Sequence, residues 1–380
     1  MSAPEMTSEE FVAAVEAGEE IHLLDVRAPF RLESGRIDIL PEGRFHNIQG
    51  SKLLALEDPL ASGLDPSKRL AVVCGVGSDS SKIAKYLNEH GFHAASITRG
   101  ISGWMEATVA RELAPGKSLD RLVQFDRIGK GALGYVLVSD GQAVILDPPR
   151  HTVRYLETID GAGAKLGAVA DTHAHADYIS GSHSLALLED VPYRLHAADA
   201  VYPYDGTPGK IAYEAVAEGS TIRFGRAELR VVHTPGHTEG SVTYRLGDEL
   251  AFTGDFLFVA SVGRPDLGGK TDEWTKVLWK SLDRARREWP KGMRVLPAHY
   301  ATAAERNGDH SVGRSFGELL SSNAPLGMKS EAAFTAWVKS KAGKFPDAYK
   351  TIKAINVGLK RATDLEAEEL EAGKNECALG

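Results

Sequence analysis

The sequence predicts an α/β chain of two successive units, a doubly wound parallel sheet followed by a two-sheet sandwich flanked by helices. Three observations carry this reading. Strand and helix signals alternate through the first ~110 residues, the pattern of a parallel sheet covered on both faces. Short apolar runs then come in pairs around Asp140-Gly141 and Gly247-Asp248, as hairpins do. Helical stretches fall between these sets of strands, where they can cover the outer faces of a sandwich.

In chain order, Thr7 and Glu10 have capping-box spacing and open a helix that should stop at Gly18. Apolar residues from Ile21 to Val26 form a strand. Leu70 to Val73 form another, which runs into Cys74 and Gly75-Val76-Gly77-Ser78. A helix from about Ser80 to His90 follows, with Gly91 as its stop. A strand near Ala94 to Ile97 and a helix around Gly103 to Ala110 complete the first unit. Ala114-Pro115-Gly116-Lys117 reads as a linker. The expected division is therefore a domain over 1–113, a linker over 114–120 and a second domain over 121–380.

In that second domain the runs 133–138 and 143–147 make a hairpin, and 221–224, 227–233, 241–246 and 250–253 repeat the style. Segments 179–189 and 272–289 read as helices. In the latter, Trp274, Val277, Leu278 and Leu282 keep an i, i+3, i+4, i+8 stripe. The chain beyond about 330 is helical and acidic.

Composition narrows the function classes. Apolar residues are 43% of 380, enough for sizeable cores without disulfide staples. The 44 basic and 52 acidic residues leave a net charge of −8, so neither nucleic acid nor an anionic membrane is an expected partner. No apolar run approaches the ~18 residues a bilayer span needs. No Lys or Arg precedes Arg27, which argues against a signal or transit peptide. With only Cys74 and Cys377, a disulfide framework is excluded, and a reducing, cytoplasmic setting is expected.

Cys74 lies where a buried strand gives way to a glycine-containing loop and then a helix. Backbone N–H groups and the positive end of the helix dipole both favour a thiolate there. Gly75 and Gly77 let the loop curl around one anion. Residues 7–112 resemble a rhodanese domain in Leu24-Asp25-Val26-Arg27, Cys74-Gly75-Val76-Gly77-Ser78-Asp79-Ser80 and Arg99-Gly100-Ile101-Ser102-Gly103-Trp104, in that order. The resemblance implies that Cys74 is the catalytic residue of sulfur transfer, carrying sulfane sulfur as a persulfide. The family usually has Arg where this chain has Asp79, and an acid there disfavours thiosulfate as donor.

The second domain carries Thr172-His173-Ala174-His175-Ala176-Asp177 after a strand at 166–171. His233-Thr234-Pro235-Gly236-His237, Thr253-Gly254-Asp255 and Pro297-Ala298-His299 come later. Imidazole and carboxylate are the donors a first-row metal takes, and strand ends can bring several to one ion. These motifs resemble the metallo-β-lactamase fold over about 120–300, which implies an αββα sandwich. Glyoxalase II-like dizinc hydrolases of that fold read His-x-His-x-Asp-His, but here the last position is Tyr178, which removes one ligand of a second metal.

The persulfide dioxygenase branch holds one ferrous iron through positions that match His173, His237 and Asp255. By that resemblance His175, Asp177 and His299 orient ligands and water. Tyr178 is expected beside the iron without binding it, since a neutral phenol binds metal poorly, and the resemblance implies that Arg264, in Phe256 to Leu267, pairs with a glutathione carboxylate. The implied activity is oxidation of a glutathione-type persulfide by dioxygen to sulfite at one Fe(II) per chain, coupled to sulfur transfer through Cys74. Homo-oligomerisation is compatible with it. Two rivals stand beside this: a zinc-dependent thioester hydrolase and a non-catalytic persulfide carrier. Cys377, in Asn375-Glu376-Cys377-Ala378, reads as an incidental thiol.

Overall fold

A computed structural model describes residues 3–32, 35–267 and 269–379. By its internal contacts the chain divides into two compact units. The first is Met1–Val109 with Arg127–Lys130 and Ala372–Lys374; the second is Ala110–Asp126 with Gly131–Glu371 and Asn375–Gly380.

The first unit is built on a parallel sheet with the spatial order Glu5–Met6, His93–Ile97, Arg69–Val73, Ile21–Asp25, Phe45–Asn47. Side chains alternate across a strand, and here both faces are apolar. Leu24, Leu70 and Val72 pack with Ile83 and Leu87 on one face. Leu23, Ala71 and Val73 pack with Phe11, Val12 and Trp104 on the other. A sheet buried on both sides is the doubly wound arrangement. The first helix, Ser8–Glu16, opens on the expected capping box, with Thr7 and Glu10 each accepting the other's backbone N–H.

Two helices differ from expectation for local backbone reasons. Gly77, at φ 97°, turns the loop directly into the helix Ser78–Glu89, so this helix begins earlier than Ser80. The helix expected over Gly103 to Ala110 is instead Gly100–Glu106, entered through a left-handed Arg99. Its expected end is a strand, Thr108–Leu113, where β-branched Thr108 and Val109 suit extended backbone better than helix.

The second unit is a sandwich. One sheet runs from Glu214–Val216 through Tyr193–His196, Lys165–Ala170, Gln142–Leu146, Ala132–Ser139 and Arg121–Arg127 to Thr108–Leu113. The other orders Thr221–Phe224, Ala227–His233, Val242–Leu246, Leu250–Gly254, Arg294–Pro297 and Arg314–Ser315. Inward residues of both sheets, among them Tyr135, Leu137, Leu229, Val231, Tyr244 and Phe252, form the shared core. Outward Val136, Val138 and Ile145 pack against Tyr155, Ile159 and Leu185 of the helices Val153–Gly161 and Ser182–Glu189. On the opposite outer face Leu278, Leu282 and Ala285 of the helix Thr271–Glu288 pack on Ala251 and Val295. Among the described residues no helix is long and apolar enough to cross a membrane.

Candidate metal centre

Four strands of the sandwich deliver the centre. His173 follows Lys165–Ala170, His237 follows Ala227–His233, Asp255 directly follows Leu250–Gly254, and His299 follows Arg294–Pro297. The last two strands are parallel with Gly254 opposite Pro297, so Asp255 and His299 emerge side by side. Gly254 is required at its position. It sits at φ 53°, and a Cβ there would stand 2.3 Å from Thr172 Oγ1 and 3.3 Å from His173 Nδ1.

His173 Nε2 and His237 Nε2 lie 3.5 and 3.4 Å from Asp255 Oδ2. All three atoms are buried and have no hydrogen-bond partner, although buried polar groups are otherwise satisfied in folded chains. Each imidazole is aimed by its other nitrogen: His173 Nδ1 lies 3.0 Å from Thr172 Oγ1, and His237 Nδ1 lies 3.0 Å from the Arg264 carbonyl. This leaves the Nε2 lone pairs converging on one carboxylate oxygen, the arrangement that a metal ion satisfies. The donor set, two imidazoles and one carboxylate, suits a first-row divalent ion with open positions.

Charge agrees with that geometry. Burial alone would raise the Asp255 carboxyl, but His299 and His173 hold it well below the usual carboxylate range. Burial drives His237 down to about 3, keeping a lone pair available. His299 behaves oppositely. Burial disfavours its charge, yet Asp177 and Asp255 raise it to about 10. Its Nδ1 is 2.6 Å from Asp255 Oδ1 and its Nε2 is 3.1 Å from Asp177 Oδ2.

His175 and Tyr178 belong to a neighbouring polar cluster. His175 Nε2 lies 3.2 Å from Asp147 Oδ1 and 2.9 Å from the Tyr178 hydroxyl, which also donates to the Asp147 carbonyl at 3.2 Å. Burial first, then Asp147 and Asp171, push the Tyr178 phenol well above its ordinary value, so it stays neutral. Arg264 is placed otherwise than as a receptor for a substrate carboxylate. It is 5% exposed, forms a two-pronged ion pair with Asp266 at 2.7 Å, and donates to the Gly343 carbonyl at 2.8 Å. Its guanidinium is committed to the chain's own carboxylate.

Several contributors gave no sequence signal. Asp199 accepts from the Ala174 and Gly240 N–H groups and the Thr238 hydroxyl, all at 2.7 Å, and so ties the His173 loop to the His237 loop. The helix Ala348–Asn356 braces the first motif: buried Lys353 donates to the Ala174 carbonyl at 3.1 Å, and Asn356 donates to the carbonyls of His175 and Tyr178 at 2.9 Å. Cys377, fully buried, lies with Asp177 and His299 in a second group of convergent donor atoms.

Cys74 belongs to the first unit. It is 4% exposed, and the Gly77 N–H and the Ser80 hydroxyl donate to its sulfur at 3.1 and 3.3 Å. Asp79 is exposed and lies 3.6 Å from Lys82, a solvent-screened pair at the start of the helix.

A buried cluster of imidazoles and carboxylates at the strand ends of an αββα sandwich defines a class of metal-binding proteins. The family profile described as the metallo-beta-lactamase superfamily matches residues 129–308. An uncharacterized protein of Aquifex aeolicus is 32% identical over 189 residues, covering 46% of this chain and 87% of its own length. The chain belongs to the metallo-beta-lactamase superfamily.

Within it, the mitochondrial persulfide dioxygenase ETHE1 of Mus musculus is 35% identical over 164 residues, 42% of this chain and 59% of that enzyme. A hydroxyacylglutathione hydrolase of Acidiphilium cryptum is 38% identical over 128 residues, 34% of this chain and 50% of that enzyme. The crystal structure of ETHE1 from Myxococcus xanthus superposes with a TM-score of 0.51 at 25% identity, covering 65% of this chain and 99% of that one.

Proposed function

We propose that this chain is a persulfide dioxygenase that uses one iron at His173, His237 and Asp255, joined to a rhodanese-type sulfurtransferase unit centred on Cys74. The observation that carries the first part is the convergence of three buried, unpartnered donor atoms, two nitrogens and one oxygen. Similarity to the mouse persulfide dioxygenase supports the same reading. The net reaction is a persulfide plus dioxygen and water giving the thiol and sulfite. An iron ion held there would bring sulfur and dioxygen together and supply the redox chemistry of sulfur oxidation.

The chain's own part is positioning and exclusion of water. Thr172 and the Arg264 carbonyl fix the two imidazoles. Ala176, Phe258, Leu267 and Tyr349 make an apolar cluster around Cys377. A cavity of about 370 Å³ reaches Ala174 and Thr238, neighbours of His173 and His237, with Tyr202, Tyr204 and Trp274 as flat walls and the buried Lys353 amine in its lining. Its size suits the carrier thiol of a small persulfide such as that of glutathione.

Sulfur transfer rests on Cys74, whose sulfur receives N–H and hydroxyl donors at a strand-to-helix turn. A zinc thioester hydrolase is the second reading, favoured by the 38% identity to the hydroxyacylglutathione hydrolase. Anaerobic purification, metal analysis and oxygen uptake with glutathione persulfide decide between them. One iron and persulfide-dependent uptake, both lost in His173→Ala, are expected. Full activity with zinc on a thioester, or unchanged uptake in His173→Ala, overturns the dioxygenase reading.

A further inference from the structure

A cavity of about 570 Å³ at the edge of the second sheet of the sandwich is lined by three arginines, Arg294, Arg306 and Arg314, together with Asn307, Ser315 and Glu318. Strand pairing builds it. Arg294 opens the strand Arg294–Pro297, whose other end leads to His299, and it lies opposite Ser315 of the edge strand Arg314–Ser315. The site is therefore at the far end of that strand from the metal centre. Gly313 brings the edge strand close: a Cβ there would stand 2.8 Å from Leu296 Cδ2, 2.9 Å from the Val295 carbonyl oxygen and 3.7 Å from Arg294 Nε.

What holds each guanidinium decides what it can still bind. Arg306 is committed to the chain, donating to buried Asp126 at 3.0 Å and to the Tyr300 hydroxyl. Arg314 is held by neutral groups: its Nη1 donates to the Asn307 side-chain carbonyl and, at 2.9 Å, to the Gly313 carbonyl. Asn307 is itself fixed, donating to Ser311 Oγ at 3.1 Å and to the Gly313 carbonyl at 3.2 Å. Among the described residues Nε and Nη2 of Arg314 have no partner, and neither has the half-buried Arg294 side chain. The carboxylates beside them are engaged elsewhere. Glu318 accepts the Ser315 N–H at 2.9 Å and its hydroxyl at 2.6 Å, and Asp309 accepts the Ser311 N–H at 3.0 Å and its hydroxyl at 2.6 Å.

We propose that Arg294 and Arg314 form a binding site for a doubly charged oxyanion of the phosphate type, separate from the metal centre and from Cys74. Two guanidinium groups with free N–H edges match the charge and the several acceptor oxygens of such a dianion, and each can donate in the two-pronged manner. Holding Arg314 through a neutral amide leaves its full charge and presets its outer edge, which lowers the ordering cost of binding. The cavity is larger than a bare ion needs, so the phosphate is either inorganic or the terminal group of a small phosphorylated metabolite. The site rests on none of the sulfur chemistry proposed above.

Isothermal titration calorimetry of the full chain at low ionic strength tests this, with inorganic phosphate in one arm and ribose 5-phosphate in the other. Both should bind saturably at one site. Equal affinities make the free ion the ligand, and a monoester bound at least tenfold tighter makes it a phosphorylated metabolite. Arg294→Gln and Arg314→Gln should each weaken phosphate about 10–100-fold, the loss of one charge-assisted contact. Arg287→Gln removes an exposed arginine of the helix Thr271–Glu288. It should bind as wild type does, which separates a local site from an effect of net charge. Arg314 lies on the edge strand, so its variant reports on the site if Arg294→Gln fails to fold, with circular dichroism as the check. Absence of saturable phosphate binding by the wild-type chain, or unchanged affinity in a folded Arg314→Gln protein, overturns the proposal.

Discussion

Tyr178 shows how one side chain decides the chemistry of its neighbours. A phenol with an ordinary pKa near 10 binds metal well only as the phenolate, and burial together with Asp147 and Asp171 moves it further from that state. Its hydroxyl is instead spent on His175 Nε2 and the Asp147 carbonyl. The iron-loaded protein, oxidised to the ferric state, should therefore lack the visible absorption of a phenolate ligand. Tyr178→Phe should retain its iron while losing about 1–3 kcal/mol of stability, because the His175 and Asp147 atoms lose a buried partner. Iron content and thermal melting of the two proteins check this. Loss of iron in Tyr178→Phe would make the phenol a ligand.

At the scale of elements, the centre depends on loops that strands end in and other segments hold. Asp199 binds two of these loops through three short bonds without any route to the metal itself. Residues that orient ligands in this way are worth about 10–100-fold in metal affinity. Asp199→Ala should lower affinity at the triad by that factor with secondary structure retained, as read by chelator competition and circular dichroism; unchanged affinity would show that the two loops hold themselves.

The elements also mark what a sequence discloses. His173, His237, Asp255 and His299 were legible because each closes an apolar run, so strand end and donor type appear together. The helix Thr271–Glu288 was legible from its stripe. Asp147, Asp199, Lys353 and Cys377 were not, because each is a single polar residue whose partners are brought to it only by packing. The chain beyond about 330 read as a helical, acidic tail. Its buried face, with Lys353, Asn356 and Cys377, lies instead against the first histidine motif.

At the scale of the whole chain, the proposed chemistries occupy different compact units, Cys74 in the first and the residues proposed to hold metal in the second. Sites with no shared partner combine additively to within about 0.3–0.5 kcal/mol, roughly a factor of two in rate. Cys74→Ser removes the thiol that would carry sulfane sulfur but leaves its oxygen where Gly77 and Ser80 donate, so the first unit should fold unchanged. Transfer of sulfur from a persulfide donor to a thiol acceptor should then fall to background. Oxygen uptake with added glutathione persulfide should stay within about twofold of wild type, because that substrate reaches the metal centre directly. His173→Ala should give the converse, with transfer kept and uptake lost. Measuring both activities on both variants closes the argument. A folded, iron-loaded Cys74→Ser protein that no longer consumes oxygen with free persulfide would mean that the sulfur reaches the iron only after passing through Cys74, and the chain would be a relay with one activity.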